Sequence, residues 1–202
     1  MLQIGKAYFE GYEEKFSPRK NGRGYKKIRV YTGDVYHPEL TEKQWGFKKL
    51  LFTFLILGFF VLLFGGGSIR TTSNQTALVT LPYIAALLSG GYCSVGVMHF
   101  LTKKTSMTVF GFKEFRGQVL RGSAAAAIAM GLTCAANLAV IAVGLLRGGR
   151  GAQWVGTEFT VMLCNLCGCF AMYGIHAVEK AARYTVTPGR PPEEADAPIS
   201  GK

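Results

Sequence analysis

Three stretches of this chain hold no Asp, Glu, Lys or Arg: Leu50 to Gly67 (LLFTFLILGFFVLLFGGG), Ala77 to Leu101 (ALVTLPYIAALLSGGYCSVGVMHFL) and Ser123 to Leu146 (SAAAAIAMGLTCAANLAVIAVGLL). A fourth, Trp154 to Val178 (WVGTEFTVMLCNLCGCFAMYGIHAV), carries a single acid, Glu158. A helix that crosses a bilayer needs about 20 mainly apolar residues. Hydrocarbon offers the backbone no partners, so such segments must be helical. The expectation is an all-α integral membrane protein, a four-helix transmembrane bundle over 50–178. A small cytoplasmic module of short β-strands and a juxtamembrane helix precedes it over 1–49, and a disordered tail follows over 179–202.

The first block could also be the apolar core of a cleaved signal peptide. About fifty mostly polar residues precede it, no small-residue cleavage site follows, and the block is read as a retained span.

Basic residues set the orientation. Eleven Lys and Arg precede the first span, five lie in the connection from Thr102 to Gly122 and four follow Val178, against Arg70, Arg147 and Arg150 on the other side. Short loops rich in Lys and Arg stay cytoplasmic, so both termini are expected inside the cell membrane. The net charge of +11 is then chiefly a topological signal. Lys43, Lys48, Lys49, Lys103, Lys104, Lys180 and Arg183 stand beside helix ends, which suits anionic lipid headgroups as partners rather than nucleic acid.

Within the N-terminal segment, Asn21-Gly22 inside KNGRG lies between YEEKFSPR and GYKKIRVYT, a hairpin signal. A second turn at Thr32 to Asp34 leads to a third short strand. So small a sheet is marginal alone and needs the Thr102 to Gly122 connection, the membrane surface or another protein beneath it. Thr41 and Gln44 have the spacing of a capping box, so a helix starting there runs directly into the first span. Trp45 and Trp154 then read as interfacial anchors. In the connection, Phe112, Phe115 and Val119 fit either an interfacial amphipathic helix or an inward extension of the third span.

The cluster CNLCGCF suggests metal or redox chemistry only until its helix is considered. At about 100° per residue, Cys164 and Cys167 lie about 60° apart while Cys169 is about 140° from Cys164. Three thiolates cannot converge from one helix, and a zinc site wants four ligands. No metal, cofactor or catalytic site is expected, and the cysteines read as small residues that let helices approach, with Cys164/Gly168 and Ala127/Gly131 as spaced pairs. P-loop, zincin and nucleophile-elbow motifs are missing from the sequence, and no enzyme is inferred.

Glu158, Asn165 and His176 fall within about 20° of one another on the fourth helix, and polar side chains in a span usually face the bundle interior. Asn137 on the third helix is expected at similar depth, meeting Asn165 within the chain or between copies of a homo-oligomer. This stripe could carry protons or ions. The simpler reading is an interfacial acid, an interhelical amide and an imidazole at the cytoplasmic exit. The leading expectation is a membrane-embedded interaction or assembly subunit with a protein partner. The alternative is a small oligomeric transporter or channel that uses the stripe.

Overall fold

The computed structural model describes residues 11–18, 25–102, 106–147 and 151–189. These described residues form two compact units, one within 40–102 and 114–182, the other within 1–39, 103–113 and 183–202. The fold is mostly helical. Among the described residues, four helices are long and apolar enough to cross a membrane: α1 (Glu42–Ser68), α2 (Ala77–Thr102), α3 (Val109–Leu146) and α4 (Ala152–Ala181). By length and composition the chain is a multi-pass membrane protein.

Local chemistry sets where α1 begins. Thr41 accepts from the Gln44 backbone N–H at 3.4 Å, and the Gln44 side chain accepts from the Thr41 N–H at 3.0 Å, a complete capping box that satisfies two otherwise orphaned donors. The juxtamembrane helix expected to start there does run directly into the first span, as the first two turns of α1. Neither Pro82 nor the Gly90-Gly91 pair interrupts α2. The Phe112 to Val119 segment is the first part of α3, so the connection extends the third span.

Each helix buries a seam in which every seventh residue recurs: Trp45, Phe52, Phe59 and Gly66 on α1; Val79, Ala86, Cys93 and Phe100 on α2; Ser123, Met130 and Asn137 on α3; Glu158, Asn165, Met172 and Glu179 on α4. Such a repeat keeps the seam facing its neighbours when helices cross at shallow angles. Close approaches link the helices in turn. The Tyr83 hydroxyl of α2 donates to the Leu63 carbonyl of α1 at 2.5 Å. A Cβ placed on Gly122 of α3 would lie 2.8 Å from the Cys93 backbone nitrogen of α2. Cys169 of α4 donates to the Ala127 carbonyl of α3 at 3.2 Å, and a Cβ on Gly66 of α1 would lie 3.2 Å from Cys164 of α4. Both spaced pairs of small residues thus sit at helix contacts.

The outer faces carry large apolar side chains, among them Phe54 (72% exposed), Val61, Leu88, Ile128 and Phe170, while Lys48, Asn137, Glu158, Asn165 and Glu179 are buried. In water this surface would be untenable. In hydrocarbon it is the expected one. Trp45 is 4% exposed, with its ring edge-on to Phe100. Its position on the α1 seam turns it inward.

In the second unit, β1 (Tyr12–Pro18) and β2 (Tyr25–Tyr31) pair antiparallel, Tyr12 opposite Tyr31 and Pro18 opposite Tyr25. The KNGRG turn between them, like Lys103, Lys104 and the residues after 189, lies outside the described residues. The third strand, β3 (Val35–Pro38), does not extend the hairpin. It is the centre of a separate sheet between β4 (Met107–Thr108) and β5 (Tyr184–Thr187). Tyr36 stacks on Phe112 with ring centroids 4.2 Å apart, and Phe112 meets Tyr184 edge-on. A tail disordered from 179 is therefore corrected: α4 runs to Ala181, and Tyr184–Thr187 pairs with β3 because β-branched and aromatic residues there suit a pleated edge.

Candidate functional site

The α4 seam carries polar side chains at three levels. At the turn end, where α1 and α2 are joined, Glu158 is fully buried. Its Oε1 accepts from the Thr72 N–H at 2.8 Å and the Ser73 N–H at 3.2 Å, and the Ser73 hydroxyl donates to Oε2. Trp154, one turn away, donates from Nε1 to the Thr72 hydroxyl at 3.1 Å. Asn74 completes the corner by donating to the carbonyls of Gly66 and Ile69 at the end of α1. Glu158 is thus enclosed by its own chain. It fastens the α1 to α2 connection to α4.

In the middle of the seam stand Asn137, 0% exposed, and Asn165, 1% exposed. No described residue hydrogen-bonds the amide oxygen or nitrogen of either. The expected bond between them is not formed. Contacts of Cys169 with Ala127 and of Trp154 with Gly144 fix the register of α3 against α4, placing Asn165 level with Thr133. Asn137 then lies one turn, about 6 Å, closer to Glu158. Enclosed by its own chain, neither amide faces a second copy. Leaving a buried donor or acceptor unpaired costs about 1–3 kcal/mol. Four such atoms weigh heavily against a folding free energy of about 5–15 kcal/mol.

At the terminal end, where α1 begins and α4 finishes, the seven-residue register from Glu158 through Asn165 and Met172 arrives at Glu179, again fully buried. The Lys48 ammonium lies 2.6 Å from Glu179 Oε2, with both side chains no more than 5% exposed, and Arg116 Nε is 3.9 Å from Oε1. The rings of Trp45, Phe52 and Phe100 surround the ammonium at 5.4 to 5.8 Å, distances at which a cation is drawn to a ring face. Lys49 donates to the Leu101 carbonyl at 3.0 Å. His176 is only half-buried, off the seam, with Nδ1 3.2 Å from the Leu120 carbonyl.

The stripe expected from sequence is therefore three separate polar features rather than one. Lys48, Glu179 and Arg116 did not enter it. Lys48 reads as one of several lysines beside a helix end, although the spacing of twenty-one residues from Glu158 to Glu179 was there to find. Among the described residues, no three of His, Cys, Asp or Glu gather as metal ligands. No protein-family model, curated protein or solved structure matches the chain.

Proposed function

We propose that this chain is a membrane-embedded interaction or assembly subunit of the cell membrane, with both termini in the cytoplasm and anionic lipid headgroups against its basic flanks. The observation that carries this reading is the commitment of both core carboxylates. Glu158 holds three hydrogen bonds from the Thr72 to Ser73 turn, and Glu179 is paired with Lys48. Groups fixed in this way brace helices. A transported proton or ion needs a carboxylate that can let go. The β1 to β2 hairpin, with Phe16 70% and Tyr25 72% exposed, supplies the cytoplasmic docking element.

A second reading, a small oligomeric transporter or channel, has one observation in its favour: the unpartnered amides of Asn137 and Asn165. Two variants separate the readings. Deleting residues 1–33 removes the hairpin and leaves β3; it should abolish recovery of the partner that accompanies the full chain from mild detergent. Glu158→Gln should leave that recovery intact. If Glu158→Gln instead blocks proton-coupled flux in reconstituted vesicles while the truncation is silent, the transporter reading replaces this one.

A further inference from the structure

Apart from the paired Lys48, Glu179 and Arg116 at the terminal end, buried polar side chains are unevenly distributed along the bundle axis. In the half near the turn end lie Thr133, Asn137, Glu158 and Asn165, all buried. Beyond the contact of Met130 with Gly168, where a Cβ on the glycine would meet Met130 Cε at 2.5 Å, the core is filled chiefly by Phe52, Phe59, Phe100, Phe115, Met172 and Ile175. The Ser123 hydroxyl in that half is spent on the Val119 carbonyl at 2.6 Å.

Whatever satisfies the two amides has to donate to Oδ1 and accept from Nδ2 at both. A cation would suit the oxygens and be repelled by the NH₂ groups. An apolar molecule would suit neither. Water does both, and buried water making two to four hydrogen bonds is the usual partner of otherwise orphaned groups. Thr133 lies level with Asn165, and its hydroxyl donates to the Ala129 carbonyl at 2.9 Å, which leaves its lone pairs free to accept. Glu158 is already held by Thr72 and Ser73, so it closes the turn end rather than serving as a further ligand.

We propose that Asn137 and Asn165, with Thr133 beside them, bind a cluster of internal water molecules within the bundle, bounded on the terminal side by the layer of Phe59 and Met130. The site depends on burial and register alone and stands whether or not the assembly reading does.

Synchrotron hydroxyl-radical footprinting of the full chain in nanodiscs tests it, because radicals born from bound water oxidise the side chains next to that water whatever their bulk exposure. Met130 and Met172 are both 0% exposed. Met130 is one turn from Thr133, whereas Met172 is about 10 Å along α4 from Asn165. Met130 should be oxidised several-fold faster than Met172, and Asn137→Leu combined with Asn165→Leu should bring it down to the Met172 rate. Equal, slow rates in the unaltered chain would overturn the proposal without recourse to any variant. So would fast oxidation of Met130 that survives in the folded double variant.

Discussion

Lys48 shows how strongly a membrane interior constrains one residue. Removing a single member of a buried ion pair strands the other charge, at a cost of about 3–5 kcal/mol, whereas replacing both with apolar groups is often neutral. Lys48→Met and Glu179→Leu should each lower the thermal unfolding midpoint in detergent sharply, and the double substitution should recover most of that loss. Additive losses would show that the two charges act independently. The pair was hard to see in sequence because its members are 131 residues apart and because a lysine at the start of a span also satisfies the topological rule. Glu158 was located from its helical face, but its partners Thr72 and Ser73 lie in a connection with no pattern of its own.

At the scale of the helix, small residues decide which elements touch. At Gly122 a side chain would strike the backbone of Cys93, whereas nothing lies within 4 Å of a Cβ on Gly91. Gly122→Ala should therefore destabilise by about 1–3 kcal/mol, the range for an overpacked core. Gly91→Ala should be neutral or gain up to about 1 kcal/mol from helix propensity. Equal melting points for the two variants would contradict the close packing of α2 on α3. The existence of all four helices was legible because an apolar window of sufficient length is enough. Their seams were not, since helices apolar all round carry no contrast between faces. Glu158, Asn165 and Glu179 mark the α4 seam, but they are too few to read without a neighbour's register.

For the whole molecule, the proposed topology of four crossings in the cell membrane would leave both termini on the cytoplasmic side. A tag after Leu146 should be reached only from outside intact cells, tags at either terminus only after permeabilisation, and the chain should stay in the pellet after alkaline carbonate. A tag after Leu146 that is reachable only from the cytosol would invert the topology. The strand β5 was missed because the proline-rich stretch after it dominates the composition of the tail, although Tyr184 to Thr187 has the β-branched and aromatic character of a strand.

The sheet built around β3 unites segments that leave the ribosome at different times: Val35–Pro38 before α1, Met107–Thr108 between α2 and α3, Tyr184–Thr187 after α4. Its middle strand keeps at least one naked edge until β5 is made, and naked edges invite foreign strands. Only a chain translated past α4 can supply its own cover, so closure of the sheet reports that all four helices have been made, and copies truncated before β5 would remain adhesive.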